Sequence, residues 1–89
     1  MSTVVDIGSL IVRTGDISGG RPRIAATGVS VRRVVAWYKM GLQPEEIAEE
    51  LGHLSLAQVH AALAYYHANK PEIEADLTAD AVAAEPSAQ

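Results

Sequence analysis

The sequence predicts a mainly α protein: a short N-terminal β-hairpin followed by a bundle of three to four helices. Three observations carry this expectation. β-branched residues gather in one early stretch, "SLIVRT" (Ser9–Thr14), bounded by Gly8 and Gly15. Later in the chain apolar residues recur at helical spacing, as in Val31, Val34, Val35 and Tyr38. Helix start and stop residues punctuate the same region at Ser30, Gly41, Pro44, Gly52, Ser55 and Pro71.

Taken in order, Ser9–Thr14 reads as the first strand. Gly19, Gly20 and Pro22 then mark a turn, and Arg23–Ala25 reads as a second extended piece. Ser30 is a good N-cap for a first helix, "VRRVVAWYKM", and Gly41 stands where a left-handed C-terminal residue is wanted. Pro44 with Glu45 and Glu46 suits the first turn of a second helix, which runs to about Glu50 and stops at Gly52. Ser55 caps a third helix with Leu56, Val59, Leu63 and Tyr66 on its apolar face. Pro71 opens a fourth, roughly to Ala79, with Ile73 and Leu77 one turn apart.

These elements fit one domain over residues 9–78, preceded by a lead at 1–8 and followed by a disordered acidic, alanine-rich tail at 79–89. A chain of 89 residues buries only about 60–65% of its unfolded surface, so self-association is a natural way to cover more apolar area. A two-strand hairpin of this size is marginal in water. A homodimer is therefore expected, with Leu10, Ile11, Val12, Trp37 and Tyr38 as candidate interface residues. The absence of cysteine excludes disulfides and thiolate metal sites. The opening "MSTVVDIGSL" lacks a basic segment and a long apolar run, so it does not read as a secretory signal. No stretch approaches the roughly 20 apolar residues of a membrane span. A cytoplasmic protein without membrane contact is the expectation.

The net charge of −4 hides an asymmetry. Residues 1–39 carry Arg13, Arg21, Arg23, Arg32, Arg33 and Lys39 against Asp6 and Asp16, a balance of +4. Residues 40–89 carry Lys70 against Glu45, Glu46, Glu49, Glu50, Glu72, Glu74, Asp76, Asp80 and Glu85, a balance of −8. Such a split points either to partners of opposite charge or to attraction between the two halves within a dimer.

Little in the chain argues for catalysis. His53, His60 and His67 recur every seven residues, but 60 and 67 lie about 10 Å apart along a helix, too far for one ion. The glycines of "ISGGRPRIAATG" match neither a P-loop nor a dinucleotide fingerprint. The glutamates of the second helix have no His or Lys placed for acid–base work and read as a solvated face. No enzyme activity, cofactor, metal or small-molecule substrate is expected.

The second and third helices, Leu42 to Tyr66, have the outline of a DNA-reading helix-turn-helix. Arg21, Arg23, Arg32 and Arg33 are the candidate phosphate contacts. Ser55 and Gln58 are the candidate groups at the reading end of the third helix, where no Arg or Lys occurs.

A set of local patterns carries a family resemblance. They are an initial strand, Gly-Gly-Arg-Pro-x-Ile at 19–24, Thr-x-Val-x-Val at 27–31, Gly-x-x-Pro-Glu-Glu-Ile at 41–47, Leu-Ser-x-x-Gln-Val at 54–59 and Ala-Leu-x-Tyr-Tyr at 62–66. In order and spacing the chain resembles the bacterial domain-of-unknown-function family 433 from about Ser9 to Leu77. The resemblance implies a homeodomain-like helical bundle with an N-terminal hairpin, usually a homodimer. It also implies an antitoxin-type role: neutralising a PIN-like ribonuclease toxin and repressing the operon through DNA binding. The alternative is a dimeric protein-interaction module of the same fold with no DNA role. Where the family commonly has Gly-Thr-Arg, this chain has Ala26-Thr27-Gly28.

Overall fold

A computed structural model describes Val4, residues 6–13, Gly15, residues 20–52 and residues 54–84, the side chains from 80 onward excepted. His53, Gly19 and the end of the expected tail at 85–89 lie outside the described residues.

Two short strands, β1 (Ile11–Val12) and β2 (Arg23–Ile24), pair antiparallel with Ile11 opposite Ile24 and Val12 opposite Arg23. Four helices follow: α1 (Val31–Lys39), α2 (Pro44–Glu50), α3 (Leu56–Ala68) and α4 (Lys70–Ala84). The expected order of a hairpin and then a helical bundle is what forms.

The first three helices begin where their capping residues dictate. The Ser30 hydroxyl accepts from the Arg33 amide at the start of α1. The Glu46 carboxylate reaches back to the Gln43 amide at 2.8 Å, and Pro44 fills the first position of α2. At α3, the Ser55 hydroxyl accepts from the Gln58 amide at 3.1 Å, and the Gln58 side-chain oxygen accepts from the Ser55 amide at 2.8 Å. This reciprocal pair satisfies two amides that have no partner inside the helix. Gly41 and Gly52 take the left-handed conformation, φ +99° and +93°, and turn the chain after α1 and α2.

Element bounds differ from expectation at both ends. Ile7–Leu10 is a single 3-10 turn, so Ser9 and Leu10 are not part of the strand. Asp6 causes this: its carboxylate accepts from the Gly8 amide and its carbonyl from the Ser9 amide and hydroxyl. At the other end α4 runs to Ala84 instead of stopping near Ala79. Alanine-rich sequence favours helix once a turn has been nucleated.

The core is one cluster. Ile24 from β2, Val31, Val34 and Val35 from α1, Ile47 and Ala48 from α2, Val59, Ala62, Leu63 and Tyr66 from α3, and Ile73 from α4 meet in it. Ile11, Trp37 and Leu77 pack on its margin. Two residues assigned to apolar faces lie outward instead: Leu56 is 44% exposed and Tyr38 40%. Leu56 sits in the first turn of α3, next to the exposed cap. Tyr38 lies at the end of α1, where its ring meets the His67 ring edge to face and stays partly open.

The charge asymmetry is resolved within one chain, on α4. At 100° per residue, Glu72 and Asp76 flank one side of the Ile73–Leu77 stripe and Glu74 the other. Arg13 pairs with Glu72, and the Tyr65 hydroxyl joins both, accepting from Arg13 and donating to Glu72 at 2.8 Å each. Arg21 lies 3.4 Å from Asp76. On the far side Lys39 donates to Glu74 at 2.6 Å, and the Tyr66 hydroxyl donates to the same carboxylate at 2.5 Å. Basic residues from the N-terminal half thus hold the acidic helix on both flanks of its buried stripe.

The hairpin loop contains a strained residue. Ala26 adopts φ +62°, a left-handed conformation unfavourable for any side chain with a Cβ. Thr27 makes the bend obligatory, donating its hydroxyl to the Ile24 carbonyl at 2.8 Å and accepting from the Val29 amide at 3.1 Å. Ala26→Gly relieves about 1–2 kcal/mol of strain and returns part of it as unfolded-state entropy. A net stabilisation of about 0.5–1 kcal/mol is expected in urea titrations. A destabilised variant would show that the loop does not need this conformation.

The Glu74 cluster gives a pH dependence of definite sign. Hydrogen bonds from Lys39 and then Tyr66 hold the Glu74 carboxyl below its ordinary value of 4.5. Its stabilising contribution is present above that value and is lost as pH falls through the lower folded value. The Glu74 hydrogen bond raises both Lys39 and Tyr66 above their ordinary values of 10.5 and 10.0. Their contributions hold below pH 10 and disappear as pH rises through the folded values. Thermal melts followed by circular dichroism should show both limbs, and Glu74→Gln should shrink them. Unchanged limbs in that variant would remove Glu74 from the account.

Candidate functional site

The N-terminal end of α3, with α2 beside it, is where a helix-turn-helix would meet DNA. Its exposed residues are Ser55, Leu56, Ala57 and His60. Ser55 and Gln58 are bound to each other through the cap, so the Gln58 side-chain oxygen is already committed to a backbone amide. A bidentate contact to adenine needs that oxygen together with the amide nitrogen. The outer face of α2 carries Glu45, Glu46, Glu49 and Glu50, all exposed. They repel phosphate at the point where a duplex would approach.

The four candidate arginines are dispersed in role. Arg21 is half-buried and engaged with Asp76. Arg23 is half-buried and donates to the Thr27 carbonyl at 2.9 Å, bracing the hairpin loop. Arg32 is half-buried and partnered within the chain. Arg33 is the exposed one of the four.

The candidate dimer residues separate likewise. Leu10, Ile11, Val12 and Trp37 are half-buried, with Ile11 and Trp37 packed against the core, and Tyr38 is exposed. Among the described residues β1 has a single neighbour, β2, whereas β2 also forms a bridge from Arg23 to Ser30. The outer edge of β1 therefore has no strand partner among the described residues.

At the opposite end of α3 the fold assembles a group that pattern reading missed. The Tyr38 and His67 rings meet edge to face, 6.2 Å between centres and 90° between planes. His67 also lies 5.2 Å from the Tyr66 ring. The amines of Lys39 and Lys70 stand 5.9 and 5.8 Å from the centre of that ring. These residues come from the ends of α1 and α3 and the start of α4. Only packing of the three helices brings them together, and the pair Tyr38–Lys39 was the sole signal in sequence.

His60 and His67 take part in no metal-type cluster: among the described residues no group of three or more His, Cys, Asp or Glu side chains is placed to hold an ion. No helix among them is long and apolar enough to cross a membrane.

Comparisons with known proteins agree with this architecture. No functionally curated protein matches the chain. A crystal structure of a DUF433 member protein from Anabaena variabilis is similar, with 27% identity and a TM-score of 0.73. The match covers 79% of this chain and 69% of that one. The model of the family described as "protein of unknown function (DUF433)" matches residues 11–66, from the first residue of β1 to the buried tyrosine of α3, and the chain belongs to that family.

Proposed function

We propose that this domain is a protein-interaction module in which α2 and α3 are a scaffold, not a reader of duplex DNA. The observation that carries the reading is the reciprocal Ser55–Gln58 cap, which uses the polar groups a recognition helix would turn toward bases. The exposed glutamates of α2 and the internal engagement of Arg21 and Arg23 support it. An antitoxin-type role is the specific form that the family resemblance favours, with a PIN-like ribonuclease as partner. Neutralising an enzyme requires protein contact and no base reading. A second reading, autoregulation by DNA binding, rests on Arg33, whose exposure suits a phosphate contact.

The module is a homodimer in this proposal, joined where the outer edges of two β1 strands meet across a twofold axis. Light scattering after size exclusion should return twice the chain mass of 9.4 kDa. A proline at Ile11, whose amide points away from β2, should lower the dimer fraction by removing an edge amide. A monomer at micromolar concentration would overturn the assignment.

The two readings of the helix pair separate in one titration. The dimer is titrated against the duplex upstream of its own gene and against random duplex, at two salt concentrations. Weak, salt-sensitive binding without preference is expected, and Arg33→Ala should abolish it. An upstream duplex bound about a hundredfold tighter than random, with the preference lost in Gln58→Ala, would establish DNA reading instead.

A further inference from the structure

The cluster at the C-terminal end of α3 carries charges and rings in an arrangement that helix stability alone does not explain. Lys39 stands in the last turn of α1, where a cation offsets the negative end of the dipole, and His67 in the last turn of α3. Lys70 is different. It is the first residue of α4, the end where a positive charge is unfavourable, and among the described residues it makes no ion pair. Tyr38 is also unexplained by packing, with 40% of its surface open and its ring meeting His67 edge to face.

Together these groups form an open corner of two aromatic rings, Tyr38 and His67, with two amines within 6 Å of the centre of a third, Tyr66. Glu74 takes up Lys39 through two hydrogen bonds, 2.7 and 2.6 Å, whereas the exposed Lys70 amine stands over the Tyr66 ring and makes no hydrogen bond to that carboxylate. A flat π-system laid on one ring of the corner meets the edge of the other, and an anion attached to it reaches Lys70. Bases joined to phosphate have that form. In a duplex the base faces are stacked on one another, so only unpaired bases offer a free face. We infer that Tyr38, His67 and Lys70 form a binding site for single-stranded nucleic acid, stacking a base on the exposed rings and pairing its phosphate with Lys70. This site is at the other end of α3 from the helix-turn-helix position and does not rest on the protein-interaction reading.

The test is fluorescence anisotropy of the full chain with short labelled oligo-U and oligo-dT, an abasic strand of equal length and a mixed-sequence duplex. Both base-bearing strands should bind at low salt. The abasic strand and the duplex should bind at least about tenfold more weakly, because each lacks an accessible base face. Tyr38→Ala should weaken single-strand binding about tenfold, and His67→Ala should do the same independently. Lys70→Ala should lower the salt slope by about 0.7, the loss of one phosphate contact. Tyr38 and Lys70 are exposed, and unchanged melting curves confirm that the variants fold. A difference between oligo-U and oligo-dT would distinguish RNA from DNA as the preferred source of the same chemistry. No binding of either base-bearing strand, equal binding of the abasic strand, or full affinity in both ring variants would overturn the inference.

Discussion

Every other element of this domain rests on the buried face of α3. Val59, Ala62, Leu63 and Tyr66 occupy the centre of the core, and α1, α2, α4 and the hairpin all pack against that helix. A domain this small has no second layer of core to fall back on. Burial of a single side chain such as Ile73 contributes about 1.5–3 kcal/mol, a large share of the margin by which small domains are stable. The small residues on α3 are part of this arrangement. Ala61 and Ala62 let neighbouring helices approach closely, and Tyr66 spans the remaining distance to α4 with its hydroxyl on Glu74.

The two charged halves of the chain serve that packing. α4 buries only a narrow Ile73–Leu77 stripe, and the acids on either side of it meet cations from the residue after β1, the hairpin turn and α1. Exposed ion pairs taken singly contribute little. Here the Arg13–Glu72 and Lys39–Glu74 pairs share tyrosine hydroxyls that are themselves anchored in α3, so these two also help to fix the angle at which α4 crosses its neighbours. Much of the N-terminal positive charge is consequently spent inside the fold.

This expenditure gives the two ends of α3 different characters. Its N-terminal end is closed on itself by the Ser55–Gln58 cap and faced by glutamates. Its C-terminal end gathers rings and amines from three helices. Of the side chains expected at a reading surface, Ser55, Gln58, Arg21 and Arg23 are engaged within the fold.

The sequence by itself determined the element order, the helix starts at Ser30, Pro44 and Ser55, the turns at Gly41 and Gly52, and the family. All of these depend on neighbouring residues: a hydroxyl bonding an amide three positions on, a ring that sets φ, a glycine free to adopt positive φ. Local pattern also misled at Leu56 and Tyr38, which have helical spacing but remain 44% and 40% exposed. The 3-10 turn at Ile7–Leu10 was legible in principle from Asp6 and Ser9, yet the β-branched run next to it dominated the reading. Only the tertiary structure decided that cations of the N-terminal half meet the acids of α4 within one chain, that the Gln58 side chain closes the α3 cap, and that Tyr38 and His67 meet beside the Tyr66 ring that Lys70 overlies. Those outcomes join residues as much as 59 positions apart, as Arg13 and Glu72 are, and depend on crossing angles that no local spacing encodes.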